Sequence, residues 1–355
     1  MINYNKKAEP KIVAFGGGTG LSTMLRGLKE YVENITAVVT MADDGGGSGV
    51  LRRDMNMLPP GDIRNCILAL SKTEPIMEKL LRYRFKHGSL SGQNFGNLFL
   101  AAMNEIFSGD FITAVQNVSN VLNVQGKVLP VTVTDSELVA ELENGKEVVG
   151  ESAIGKCVSV MGSRIKSIAL QPKNKKLDKC VEMIPEVAEE IAGADIITLG
   201  PGSLYTSILP NLVIPDVLEC IKASKVPVVY INNIMTQPGE TDGYTAYDHV
   251  KAILDHTYPG FIDYCIINTN AVESPLLAKY TEEDSEPVEP DINKFEGTGI
   301  RLFPRNLVGI ENERYIRHNP SVLADAIIDV YNFSRYSDVN EDGVMLYTPK
   351  RGLHQ

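Results

Sequence analysis

The sequence predicts an α/β protein built on a mostly parallel sheet with helices on both faces, and three features carry that reading. An apolar strand at 11–15 runs directly into Gly16-Gly17-Gly18-Thr19-Gly20 and on into the helical spacing Leu21, Met24, Leu25, Leu28. Further apolar runs at 35–41, 195–199, 226–231 and 263–268 lack alternation and are separated by helical periodicity, the pattern of parallel strands covered on both faces. Between 128 and 180 the period falls to two, which predicts a small antiparallel addition.

The first glycine stretch sets the chemistry. Glycine lets the main chain come close to a ligand. The helix start that follows leaves N–H groups unpaired at the strand's end, an arrangement suited to phosphate. Neither standard fingerprint fits. G-x-G-x-x-G needs glycine where Leu21 or Thr23 stands, and no lysine follows as Walker A requires. Phosphate binding in general is the expectation.

The strand at 35–41 ends in Ala42-Asp43-Asp44-Gly45-Gly46-Gly47-Ser48-Gly49. Parallel sheets bind ligands beyond the carboxyl ends of their strands, so both loops should face one crevice. Leu58-Pro59-Pro60-Gly61 breaks the chain, and Asp62 is placed to cap a helix at 63–71. From 74 to 123 the periodicity is helical throughout. Within it, Ser91-Gly92-Gln93-Asn94-Phe95-Gly96-Asn97 opens a helix at 98–107; Asn94 and Asn97 either cap it or meet a ligand.

Segments 131–133, 137–143 and 147–151 alternate, with Asn144-Gly145 as a hairpin signal, and 165–170 is a further strand. Lys173-Asn174-Lys175-Lys176 reads as a solvated turn. The strand at 195–199 leads into a third loop, Gly200-Pro201-Gly202-Ser203-Leu204-Tyr205-Thr206-Ser207, where Ser203 can cap a helix. After a helix at 213–223, the strand at 226–231 ends in a fourth, Asn232-Asn233-Ile234-Met235-Thr236-Gln237-Pro238-Gly239-Glu240-Thr241. A helix at 244–255 and the strand at 263–268 follow. The acidic, proline-containing stretch 280–293 reads as an exposed excursion, and 300–308 as a late edge strand that tolerates Pro304. A last amphipathic helix is expected at 321–333. Residues 1–10 read as an extension, 11–333 as one domain and 334–355 as a polar tail. Asp338-Val339-Asn340-Glu341-Asp342-Gly343 begins like a calcium loop but has Pro349 at the twelfth position, and is rejected.

The formal net charge is −11 with no long basic run, which argues against nucleic acid and anionic membranes as partners. The five cysteines are scattered and form no CxxC, as in reduced cytosolic proteins. The amino terminus has no apolar signal core, and no run reaches the about 18 apolar residues of a membrane span. A soluble cytoplasmic protein is expected.

Five motifs occur together and in order: Gly16 to Gly20, Asp43 to Gly49, Pro60-Gly61-Asp62-Ile63-Arg64-Asn65, Leu199 to Ser207, and Asn233 to Thr241. This combination closely resembles the family of phospholactate transferase (CofD) and its bacterial YvcK-type relatives, known as gluconeogenesis factors. The resemblance spans about residues 11–332. It implies a Rossmann-like fold with the ligand among those loops. The transferase branch moves a phospholactyl group from a nucleotide diphosphate donor to a deazaflavin, with magnesium. The YvcK-type branch binds UDP-sugars and supports cell-wall precursor supply, cell shape and growth on gluconeogenic carbon. The Asp43 loop and the Met235 to Thr241 segment are similar to the second branch. That branch implies a non-catalytic regulator of UDP-N-acetylglucosamine or UDP-glucose type, with a protein partner in amino-sugar or cell-wall metabolism, and allows a homo-oligomer.

The residues expected to hold such a ligand follow from their chemistry. Gly17, Gly18, Thr19 and Gly20 offer main-chain N–H groups to a diphosphate. Gly200, Gly202, Ser203, Tyr205 and Thr206 offer a second helix start and hydroxyls. Asn232, Asn233, Thr236 and Gln237 suit a ribose or base edge. Tyr264 is a candidate for stacking, and Arg301 or Arg64 for the diphosphate's counter-charge. Asp43, Asp44 and Asp62 have three competing roles. Asp43 could meet a ribose, Asp44 with Asp62 could hold Mg²⁺, or all three could simply form turns and caps. No cofactor is required for binding on this reading. No covalent nucleophile stands out in any candidate loop, which leaves direct transfer open. The expectation as a whole is one electropositive cradle made by turns far apart in the chain.

Overall fold

Strand β1 (Ile12–Gly16) is buried along its whole length, and its side chains divide between two cores. Ile12 and Ala14 face one side of a sheet, Val13 and Phe15 the other. The computed structural model describes residues 9–174, 180–272, 275–311 and 313–336. After β1 come α1 (Gly18–Leu28), β2 (Ile35–Val39), α2 (Gly46–Asp54) and α3 (Gly61–Leu70). Helices α4 (Pro75–Arg82), α5 (Phe95–Ile106) and α6 (Phe111–Val121) lead to β3 (Lys127–Pro130). An inserted unit follows: β4 (Ser136–Leu142), β5 (Glu147–Val149), α7 (Glu151–Met161) and β6 (Ile165–Pro172). The main sheet resumes with α8 (Pro185–Ala192), β7 (Ile196–Leu199), α9 (Leu209–Leu212), α10 (Pro215–Ser224) and β8 (Val228–Ile231). It is completed by α11 (Ala246–His256), β9 (Tyr264–Asn268), α12 (Leu277–Glu282) and β10 (Arg301–Arg305). The hairpin β11 (Val308–Glu311) and β12 (Tyr315–His318) precedes α13 (Pro320–Tyr336).

The main sheet has seven strands in the order β10-β9-β8-β7-β1-β2-β3, all paired in parallel. Strands add outward from β1 to β3, then restart beside β1 with β7 and run the other way. This reversal places the switch point, and hence a crevice, between the carboxyl ends of β1 and β7. One face is packed by Leu21, Met24 and Leu25 of α1, Ile63 and Ile67 of α3, and Leu323 and Ile327 of α13. The other is packed by Val187 and Ile191 of α8, Leu209 and Leu212 of α9, and Val250 and Ile253 of α11. No single helix among the described residues is long and apolar enough to cross a membrane.

Most expected elements form within two residues of their expected ends, and three expectations change. The segment at 127–130 is not part of the antiparallel addition: it pairs in parallel with β2, Ala37 opposite Val128, and closes the main sheet. The addition proper is β5-β4-β6 with α7 inside it. The stretch 74–123 is not helical throughout, because 83–94 folds back on itself through a bridge between Arg84 and Asn94. The stretch 280–293 is not a free excursion: Thr236 N–H donates to Glu286 O at 2.7 Å and Val288 N–H to Ile234 O at 2.9 Å. The hairpin at 308–318 is a further element, formed where the sequence carries no strong turn signal. The lysines at 175 and 176, residues 1–8, the calcium-like stretch and the tail beyond 336 lie outside the described residues.

Candidate functional site

The first and third glycine loops leave adjacent strands and meet. A Cβ added to Gly20 would stand 2.4 Å from Pro201 O, and one on Gly202 would be 3.6 Å from Gly17 O. Asn233 Nδ2, from the fourth loop, donates to Gly202 O at 2.8 Å. The three loops enclose a cavity of about 460 Å³, lined by Gly17, Gly18, Thr19 and Gly20, by Gly202, Ser203 and Thr206, and by Asn233, Thr236 and Gln237. Its size suits a small-molecule ligand. Helix α1 begins at Gly18, whose φ of +63° is open to glycine at little cost.

The remaining wall comes from residues that sequence reasoning passed over. Tyr280, Glu283 and Ser285 approach from the segment held along 234–236, and Arg317 and His318 from β12. Among the described residues Arg317 forms no ion pair, and its guanidinium lies 5.1 Å from the centre of the Tyr315 ring. Among the described residues it is the cationic side chain that lines the cavity. His318 is not a second one: burial holds it down to about 4, so it is neutral at neutral pH, and its Nε2 pairs with Asn232 O. The phenol of Tyr280 is fixed by the Ile316 N–H at 2.9 Å. Nothing in composition or spacing sets Arg317 apart from the other arginines.

Glu240 organises the polar wall. Its carboxylate is 6% exposed and accepts from Ser203 Oγ, from Thr206 Oγ1 at 3.3 Å and from Gln237 Nε2 at 2.6 Å. Ser203 is therefore not a side-chain helix cap, and its hydroxyl donates to Glu240 instead. Burial pushes the Glu240 carboxyl up to about 7, against the hydrogen bonds that stabilise its charge.

Carboxylates also stand close to the first glycine loop, with Glu151 in the cavity lining, so the cradle is not simply electropositive. Asp62 does not cap α3: it accepts from the Gly18 N–H, and burial together with Asp43 pushes it up to about 7. Glu151, at the start of α7, lines the cavity. Burial, then Asp43, Asp62, Asp44 and Glu240, push it up to about 9. Asp44 accepts from Ser152 N at 2.8 Å and from its hydroxyl, tying the second glycine loop to α7. Asp43 accepts from Gly45 N. Among the described residues no group of three or more His, Cys, Asp or Glu is arranged to hold a metal. Asp44, expected to join Asp62 at a Mg²⁺, is engaged by Ser152, so the ion would take most of its ligands from phosphate and water, as it often does, with Asp62 as its protein oxygen.

Asp43, Asp44, Asp62, Arg64 and the remaining expected residues lie outside the cavity lining. Asn94 caps α5, accepting from Asn97 N. Asn97 Oδ1 accepts from Arg64 Nη1 at 2.6 Å, so both amides are spent on structure around the second loop. Gly200 and Asn232 are buried behind the loops, Asn232 donating to Ala246 O. Tyr205 is buried, its hydroxyl 2.9 Å from that of Tyr244. Tyr264 and Arg301 open β9 and β10 and pair in register. They sit at the amino ends of their strands, the far end from the loops, and Arg301 lies over the Phe333 ring. Among the described residues, Tyr280 and Arg317 are the phenol ring and the guanidinium that line the cavity.

Residues 12–308 match the family model described as 2-phospho-L-lactate transferase CofD. A protein of Thermoanaerobacterium thermosulfurigenes, provisionally named a gluconeogenesis factor, is 53% identical over 328 residues, covering 92% of this chain and 99% of its own. The gluconeogenesis factor of Bacillus subtilis is 46% identical over 323 residues, 91% of this chain and 98% of that one. The crystal structure of a UPF0052 family member from Bacillus halodurans superposes with a TM-score of 0.83 at 46% identity, covering 89% of this chain and 99% of that chain.

Proposed function

The chain belongs to the family of 2-phospho-L-lactate transferase CofD, and on that premise we propose that it binds a nucleotide diphosphate sugar and acts as a regulator rather than a catalyst. The convergence of the Gly17–Gly20 and Gly202–Thr206 loops on one cavity carries this reading. The diphosphate lies against main-chain N–H groups at the start of α1 and the hydroxyls held by Glu240, with Arg317 supplying the opposing charge. Tyr280 offers a ring face to the base or the hexose. The sugar nucleotide is of the UDP-N-acetylglucosamine or UDP-glucose type, and the liganded form acts on a protein partner in amino-sugar or cell-wall metabolism. Calorimetry with both nucleotides tests it: saturable heat is expected, and none at millimolar ligand would overturn the reading. Gly18→Glu should abolish the heat by placing a carboxylate where the diphosphate goes.

A second reading, a Mg²⁺-dependent transferase using a nucleotide diphosphate donor, is favoured by the carboxylates of Asp43 and Asp62 beside the same loops. When bound, the ion would screen donor phosphates from these acids. If no divalent ion binds and no transfer from such donors is detected, this reading falls while the first stands.

A further inference from the structure

Of residues 74–92, only Leu81 is buried. Ile76, Met77, Leu80, Tyr83 and Leu90 all expose large apolar side chains to solvent, Ile76 at 73%. On α4 the spacing 76, 77, 80 and then 83 gathers them on one side. The same stretch carries Lys79, Arg82, Arg84 and Lys86, all exposed, in a chain whose net charge is −11. Glu74 and Glu78, the latter 2.9 Å from Arg82, offset two of these four cations, and the stretch keeps a net positive charge. The segment is folded: Phe85 N–H donates to Gln93 O, Gly92 N–H to Phe85 O, and Phe95 N–H to Tyr83 O. It also touches the second glycine loop, since a Cβ on Gly47 would be 3.2 Å from Gln93 Oε1.

We propose that this projection is a docking surface for a second protein that presents an acidic face with an apolar centre. Exposed Met, Tyr and Arg grouped around aliphatic side chains have the composition of an interface core. The local cations, set against an acidic remainder, select an acidic partner and repel basic ones. A second copy docking through the same patch would set one net positive surface against another. An anionic membrane would attract the patch and repel the rest of the molecule. The inference rests on this surface alone and not on what the cavity holds.

The test uses the full chain with a photo-crosslinking residue in place of Leu80, irradiated in its own cells, with Val160, 88% exposed on α7, as the control position. The protein found in the adduct is identified, purified and titrated. An adduct at 80 and not at 160 is expected. Affinity for that protein should fall about tenfold or more in Lys79→Glu/Lys86→Glu and decline with salt. Leu80→Ala should weaken it too. Heat from UDP-N-acetylglucosamine should be the same in these variants as in the parent, which separates this proposal from the reading of the cavity. The absence of an adduct at 80, adducts formed only with a second copy or with lipid, or a partner indifferent to the charge reversal would each overturn it.

Discussion

Gly20 and Pro201, 181 positions apart (201 − 20), are in main-chain contact: a Cβ on the first would stand 2.4 Å from the carbonyl oxygen of the second. The next nearest atoms are Pro201 C at 2.7 Å and Gly202 Cα at 3.0 Å. All three belong to backbone, so no side chain can swing aside. Gly20→Ala must therefore part the two loops. We expect a loss of about 1–3 kcal/mol in unfolding free energy, the usual cost of overpacking, and weaker nucleotide-sugar binding. Thermal unfolding and calorimetry read the two effects. Unchanged values in both would mean that the loops need not touch.

Arg317 separates binding from stability. It pairs with no carboxylate among the described residues, so the fold gives up little when it is truncated. A bound diphosphate would lose a charge-assisted contact worth about 1.5–3 kcal/mol. Arg317→Ala should thus weaken the sugar nucleotide by about ten- to a hundredfold with a melting temperature close to the parent's. Arg301→Ala is the control, because Arg301 lies at the other end of the sheet. Equal losses from both variants would put the diphosphate elsewhere.

Asp44 fastens the inserted unit to the main domain by accepting from Ser152 N and Oγ at the start of α7. Asp44→Ala removes what serves as that helix's cap, at a cost of about 0.5–2 kcal/mol. The loss should be local, seen as faster amide exchange over α7 and the second glycine loop with β1 and β7 unaffected. Uniform acceleration across the chain would show that the contact supports the whole fold.

The parts of this molecule legible in its sequence are those where local pattern and tertiary role agree. Residues 35–39 and 196–199 are apolar runs broken only by Thr36 and Thr198, without alternation, because both faces of the sheet are covered, and glycines mark loops that must approach one another. The cavity's far wall was illegible because main-chain hydrogen bonds build it. Nothing in the acidic composition of 280–293 states that its backbone will lie along 234–236, so Tyr280 looked remote. Arg317 belongs to a hairpin with no strong turn signal. Tyr264 and Arg301 looked suitable by residue type, but a residue at a parallel strand's amino end lies a strand length from the crevice. Glu240 was visible in its loop, yet only the fold reveals that it serves Ser203, 37 positions away.

Glu240 also makes the protein's stability depend on pH. Its carboxyl is raised from 4.5 to about 7, chiefly by burial, while bonds from Ser203, the Tyr205 N–H and Thr206 pull the other way. The folded state therefore holds this proton more tightly than the unfolded chain does. The group's contribution is fully present below about pH 4.5 and is lost as pH rises through about 7, with a slope approaching about 1.4 kcal/mol per pH unit in between. Asp62, raised to about 7, and Glu151, raised to about 9, act with the same sign. Buried His318, held down to about 4, and the lowered His249 and His256 act with the opposite sign below about pH 6.5, so the parent should lose stability from about neutral to alkaline pH. Glu240→Gln removes one of the three titrations, so its stability curve should flatten between about pH 5 and pH 7 and run parallel to the parent's above that. Its affinity for the sugar nucleotide should fall, because an amide cannot accept from Ser203, Thr206 and Gln237 together. Denaturant unfolding across about pH 5 to pH 9 decides the matter: curves of equal slope throughout would mean that Glu240 stays ionised and holds the wall as a charge.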